Sequence, residues 1–227
     1  MGPVVLFLPA ADEAATVAAV LARVPPVVRG RPVQRLVVDD GSVDGTGARA
    51  EAAGADVVRL EGRQGLGAAV RRGLAEAVLR DAEAVAFCDA DGEYDPAQLE
   101  RLVGPVLDGH ADYVVGSRFA GERRRMLLHR RIGNALLTAA LSAVARRRIG
   151  DGQSGFRALS GPAAAAAEIV HDYNYAQVLT LDLLAKGFRY LEVPIAYDRR
   201  RHGRSFVRLG RYLRNVVPAV VREVRSP

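Results

Sequence analysis

The stretch "FCDADGEYDP", Phe87–Pro96, follows the apolar residues Val85 and Ala86 and sets carboxylates at alternate positions 89, 91, 93 and 95. A short apolar run bounded by a glycine turn reads as a buried strand, Val85–Cys88. Alternate residues of an extended chain share a face, so Asp89 and Asp91 project toward one point just past the strand end. Two carboxylates so placed bind a hard divalent cation, Mg2+ or Mn2+, and leave positions for phosphate oxygens. A solvated acidic turn is the competing account. It suits Asp95, which can cap a helix begun by Pro96.

Outward from this stretch, short β-branched runs alternate with alanine-rich helical patterns, the signature of βαβ units and a parallel sheet. Strands are expected at Val4–Leu8, Leu36–Asp39, Val57–Leu60 and Tyr113–Val115, with helices at Ala14–Arg23, Gly45–Ala53, Leu66–Arg80 and Pro96–Leu107. Loops at the carboxyl ends of parallel strands share one edge, where open α/β sheets bind ligands. That edge gathers Asp12, Glu13, Asp39, Asp40, Glu61, Asp89 and Asp91. The second half predicts helices at Ile132–Ala145, Pro162–Val170 and Tyr175–Lys186, a short segment at Phe156–Leu159 and a strand at Tyr190–Val193. No repeat or linker interrupts the pattern.

At 227 residues, with 49% hydrophobic and 26% charged residues, the chain has the composition of an ordinary globular protein and fits one domain. The lone cysteine, Cys88, lies in an apolar run and reads as a buried core residue in a reducing, cytoplasmic setting. Val4–Ala10 is too short for a membrane span and lacks the pattern of a signal peptide. Residues 1–115 carry 11 Arg against 18 acids, whereas the rest of the 32 basic and 26 acidic residues leave the second half strongly positive. Such asymmetry points to an anionic partner for the second half, an arginine-rich solvated surface being the other account. RNA- or DNA-binding motifs with interleaved aromatics are absent, and the acidic half would repel phosphates, so nucleic acid is not the expected partner.

A second stretch, "VVDDGSVDGT", Val37–Thr46, again ends a strand in paired acids and a glycine turn. Asp39 is placed to hydrogen-bond a base or ribose at the sheet edge, and Gly41 permits close backbone approach. Asp44 needs no more than a capping role. The glycine stretch "GRQGLGAAVRRG" follows the third strand with the wrong spacing for a dinucleotide fingerprint. His110, His129, His171 and His202 show no metal-ligand spacing.

Taken together, "VVLFLPAADEAATV", "VVDDGSVDGT", "GLGAAVRRG", "FCDADGEYDP", "VVGSRF", "GDGQSGFRALS" and "EVPIAYDRRRHGRS" run in an order that resembles the family 2 glycosyltransferases, and within them the polyprenyl (dolichyl) phosphate sugar synthases. The resemblance implies an α/β GT-A fold, a Rossmann-like, mainly parallel central sheet flanked by helices. It implies a catalytic domain over 1–205 and a basic amphipathic helix over 206–227. The implied nucleotide-sugar contacts are Pro9, Ala10, Glu13, Asp39, Asp40, Gly67, Arg71, Asp89, Ala90, Arg200 and Arg204. Asp89, Asp91 and Glu93 would hold Mg2+ or Mn2+ on the diphosphate, and Arg118 and Arg131 would lie near an acceptor phosphate.

The implied reaction is an inverting, metal-dependent transfer of a hexose, from a GDP-mannose or UDP-glucose type donor, to polyprenyl phosphate. A phosphomonoester already carries about −1.5 to −2 charge at neutral pH and needs little help from a general base. Relatives that glycosylate hydroxyls carry an acidic base near the start of the later helix; here "HDYNYAQ" leaves Asp172 as the nearby acid. A soluble acceptor with Asp172 as base is therefore the alternative reading. The chain departs from the family pattern at Ala11 and Asp12, where an aromatic residue and Asn are usual, and at Leu66 and Phe206, where Lys is common. Base stacking and donor identity are thereby open. A nucleotidyltransferase would need a basic glycine-rich loop after the first strand, which "PAADEAA" is not. Phe206, Leu209, Leu213, Val216, Val220 and Val224 form an apolar stripe among arginines, suited to peripheral contact with an anionic membrane or to packing on the domain.

Overall fold

The computed structural model describes residues 2–120, 128–170, 172 and 175–198, with the side chains of 128–133 and 136 outside that description. The expected basic helix over 206–227, together with Arg200 and Arg204, lies outside the described residues.

The first strand, β1 (Val4–Ala10), is buried at every position. An unbroken apolar run of this kind belongs in a parallel sheet covered on both faces. It pairs in parallel with β3 (Arg31–Asp39) on one side and β5 (Ala84–Phe87) on the other, and β4 (Asp56–Arg59) adds in parallel to β3. Alternation then splits the core. Val4, Leu6 and Leu8 enter one cluster with α1 (Val17–Leu21) and α4 (Leu99–Leu107); Val5 and Phe7 enter the other with α3 (Leu66–Leu79), α6 (Gly161–Ala166) and α7 (Ala176–Ala185). Phe7 and Phe87 stack at 4.9 Å between ring centres. Helix α3 approaches Phe7 so closely that a Cβ on Gly73 would come within 2.4 Å of the ring. Burying each such phenylalanine stabilises by about 2 kcal/mol.

The mainly parallel sheet takes in one antiparallel strand in its second half. Strand β7 (Arg157–Ser160) fits between β5 and β6 (Tyr113–Ser117) and runs antiparallel to both, while β8 (Tyr190–Pro194) pairs in parallel with β6. Periodicity identifies a strand but not its direction. The chain turns back through α5 (Leu128–Val144) and enters the gap left between β5 and β6. A further strand, β2 (Val27–Val28), has no sequence expectation; it pairs antiparallel with the start of β3. Helix α1 starts later than Ala14 because the Ala14 amide donates to Asp44 Oδ2 and residues 14–16 form a turn. Helix α2 (Thr46–Ala52) matches expectation. Asp95 does cap a short 3-10 turn, Pro96–Gln98, accepting from the Ala97 amide at 3.0 Å before α4 begins.

Candidate active site

The ends of β1, β3 and β5 bring their loops to one edge. At the end of β5, Asp91 is 8% exposed, and its Oδ1 accepts the Glu93 amide at 2.9 Å across a turn whose Gly92 takes φ +79°. Asp89 lies against Gly155: a Cβ there would stand 2.6 Å from Asp89 Oδ2. Ala90, between the acids, is buried. Cys88 beneath them is fully buried, and its thiol is pushed up by burial and then by the charges of Asp89, Asp91 and Asp95, which keeps it protonated and inert.

Glu93, expected as a third metal ligand, is tied to the segment after β8. Its Oε2 accepts the Tyr197 hydroxyl at 2.8 Å, and its carbonyl accepts the Asp198 amide, joining the acid to the segment after β8. Among the described residues no three Asp, Glu, His or Cys side chains form a ready metal cage. Asp89 and Asp91 offer hard carboxylate oxygens beside a glycine wall, suited to Mg2+ or Mn2+ sharing its other positions with phosphate oxygens.

On the nucleotide side, Pro9 and Ala10 of β1 stand in register with Val38 and Asp39 of β3. Asp39 and Asp40, adjacent in sequence, point to different tasks. Asp39 is 4% exposed, accepts the Ser42 amide at 2.9 Å and touches α2, where a Cβ on Gly47 would meet its Oδ2 at 2.7 Å. Asp40 uses both oxygens on the loop before α3, accepting the Gln64 amide at 2.6 Å and the Gly65 amide at 2.9 Å. Asp40 thus anchors the loop before α3, a contact the strand-end pattern does not predict. Glu13 receives the Thr16 hydroxyl on its carboxylate, while its amide donates to Thr46 Oγ1. Asp12 adopts φ +58° and pairs with Arg63 at 2.5 Å; the Val43 amide first and Arg63 next hold its carboxyl below the usual range.

Gly67 and Arg71, expected at the nucleotide sugar, meet Asp172, the base of the alternative reading. The Gly67 amide donates to the Asp172 carbonyl at 2.8 Å, and Arg71 donates to the Ile169 carbonyl and to the Asp172 carboxylate. Gly65, at φ +108°, lets the chain pass the Asp172 carbonyl, which a Cβ would approach to 2.7 Å. Asp172 is therefore held at the start of α3, with its side chain 59% exposed.

Arg118, expected near an acceptor phosphate, is paired with a carboxylate. Its fork is bidentate on Asp151, with Nε and Nη2 each 2.8 Å from a carboxylate oxygen, and its own amide donates to the same carboxylate. Asp151 is fully buried and Arg118 nearly so. The guanidinium lies 5.4 Å from the Tyr197 ring centre. Two cavities of about 450 Å³ and about 550 Å³ adjoin this pair, sharing Phe119 and Gly150 in their walls. Arg131 stands in α5, and its side chain lies outside the described residues.

Sequence reasoning missed the supports of the 150–155 turn. Glu192 on β8 accepts the Gly150 amide at 2.6 Å and the Tyr190 hydroxyl at 2.5 Å. The Tyr94 hydroxyl accepts the Gly155 amide at 2.7 Å. Arg157, fully buried, supports the turn from within the sheet. The available signal was a charged residue inside the otherwise apolar run "FRAL".

A family model described as "Glycosyl transferase family 2" matches residues 6–163. The polyprenol monophosphomannose synthase of Mycolicibacterium smegmatis is 34% identical over 188 residues, covering 76% of this chain and 69% of that protein. Glycosyltransferase AglJ of Haloferax volcanii is 31% identical over 170 residues, covering 74% of this chain and 55% of that one. Among solved structures, glucosyl-3-phosphoglycerate synthase from Mycobacterium tuberculosis, in complex with Mn2+, UDP and phosphoglyceric acid, superposes with a TM-score of 0.80 at 25% identity, over 100% of this chain and 80% of its own. Paired acids past β5, paired acids past β3 and this match over most of the chain lead to one conclusion: the protein belongs to glycosyltransferase family 2 and is a nucleotide-sugar transferase of the GT-A fold.

Proposed function

We propose that the protein transfers a hexose from a nucleoside diphosphate sugar, of the GDP-mannose or UDP-glucose type, to a polyprenyl phosphate with inversion at the anomeric carbon. Asp89 and Asp91 would hold Mg2+ or Mn2+, which when bound supplies Lewis-acid stabilisation of the departing diphosphate. Asp39 would meet the nucleoside at the β3 edge, with Pro9, Ala10 and Glu13 walling that side and Asp40 keeping the adjoining loop in place. Arg131, Arg200 and Arg204 would address phosphates, where a guanidinium fork suits phosphate oxygens. Arg118, its fork on Asp151, would position the turn beside the acceptor.

The observation that carries the choice of acceptor is Asp172. It is the acid nearest the start of α7, and its carboxylate is engaged by Arg71 at the start of α3. An acceptor that arrives already ionised does without a general base, as a phosphomonoester does. Among the described residues no helix is long and apolar enough to cross a membrane, so contact with a lipid acceptor would be peripheral, through the basic 206–227 stripe.

A small soluble acceptor is the second reading. It is favoured by the likeness to the synthase solved with phosphoglyceric acid. Radiolabelled GDP-mannose and UDP-glucose, offered with polyprenyl phosphate and Mn2+, should drive label into organic solvent, and EDTA should abolish it. Label that stays in water as a new glycoside, with none extracted, would overturn the lipid reading.

A further inference from the structure

We propose that Arg157 is the positioning residue of the two-acid metal site, setting Asp89 through the 150–155 turn. The inference rests on the reading of Asp89 and Asp91 as the metal-binding pair.

Arg157 lies on β7 in register with Phe87, two residues before Asp89, and is 0% exposed. A guanidinium taken out of water is costly unless its donors are satisfied. Here the partners are carbonyls and hydroxyls. Nε donates to the Ser154 carbonyl at 2.8 Å and Nη2 to the Gly152 carbonyl at 3.0 Å. Nη1 reaches the Ala176 carbonyl at 2.9 Å, Thr180 Oγ1 at 3.1 Å and the Tyr113 hydroxyl. The plane lies 5.3 Å from the Tyr175 ring centre and 5.8 Å from that of Tyr113.

One rigid fork therefore ties two turn carbonyls to the first residues of α7. The turn has glycines at 150, 152 and 155, so its own backbone restrains it weakly. Its last glycine is the one that abuts Asp89. Gly155 donates to the Tyr94 hydroxyl and leaves no room for a Cβ between its α-carbon and Asp89 Oδ2. Fixing Gly152 and Ser154 thus fixes the wall against which the Asp89 carboxylate rests. A lysine would retain the charge but, as a point donor, could not span both turn carbonyls and α7 at once.

The test is a Mn2+ titration of the full chain followed by electron paramagnetic resonance, with UDP and, separately, with GDP. Arg157→Lys should raise the apparent Mn2+ dissociation constant about tenfold, the scale at which residues supporting a metal ligand act. Thr180→Val, which loosens the far anchor of the fork along with the Thr180 contacts to Tyr113 and the Ala176 carbonyl, should raise it about threefold in the same direction. It also answers the question if Arg157→Lys fails to fold. Nucleotide binding in EDTA should be unchanged in both. Val103→Ala, a core truncation in α4, lowers the melting temperature without moving the Mn2+ constant. Variants that fold and bind Mn2+ as the parent does would overturn the positioning role alone. A parent chain that binds no Mn2+ with either nucleotide would instead overturn the functional reading beneath it.

Discussion

At the donor edge, several acids are held by amides two or three residues away: Asp39 by Ser42, Asp91 by Glu93 and Asp95 by Ala97. The 150–155 turn is held from far along the chain, by Arg118 at 33 positions, Glu192 at 42 and Tyr94 at 61. In the first region each of these three acids is held by a short turn of its own, although Asp12 and Asp40 on the same edge reach residues 51 and 24 positions away. The second is a buried polar network whose members are satisfied only when β5, β6, β7 and β8 are all in place. Chemistry placed on the first region depends on which acid is present. Geometry in the second depends on whether the whole network closes.

The sharpest test of that contrast is Asp91→Asn. It should leave the melting temperature nearly unchanged while lowering kcat/KM about a thousandfold, roughly 4 kcal/mol of transition-state stabilisation. A steady-state assay beside calorimetry reads both, and a large melting shift would erase the distinction between the regions. Asp151→Ala should instead be read first in stability, with any loss of kcat/KM following from the loosened turn. It strands the Arg118 guanidinium without its bidentate partner in a site 8% exposed, at a cost of about 3 kcal/mol in denaturant unfolding. Asp172→Asn separates the two acceptor readings: an ionised phosphate acceptor predicts a change within about threefold, and a hydroxyl acceptor needing a base predicts about a hundredfold loss.

The smallest effect is expected at Asp112, remote from the donor edge. The Arg189 hydrogen bond holds its carboxyl below the ordinary range, against burial. A depressed native value means that the stabilisation is present above the ordinary carboxylate pKa, about 3.9, and fades as pH falls through the lower native value. Asp112→Asn should therefore cost about half a kcal/mol at neutral pH, because the arginine is 57% exposed and the pair is screened. The variant and parent curves should converge in acid. Urea unfolding at two pH values measures it.

The apolar run before Asp89 and the acid pairs at 39–40 and 89–91 are visible in sequence because strand periodicity and turn residues act over a few positions. The helix bounds of α3 and α7 follow for the same reason. Asp40 and Glu93 show the limit of that reasoning. Each occupies a ligand-like position, and Asp40 also bonds to Gln64 and Gly65 and Glu93 to Tyr197, partners that no local pattern brings near. Arg118 shows it again, since its carboxylate partner lies 33 residues later, where no local pattern points.

By itself the sequence determined the βαβ alternation, the edge at which acids collect and, through ordered motifs, the family. Tertiary structure alone decided the antiparallel entry of β7, the burial of Arg157 and the long-range partners of Asp40 and Glu93. The physical reason is range. Periodicity and capping are short-range preferences written residue by residue, whereas satisfying a buried charge requires partners that only the closed sheet assembles.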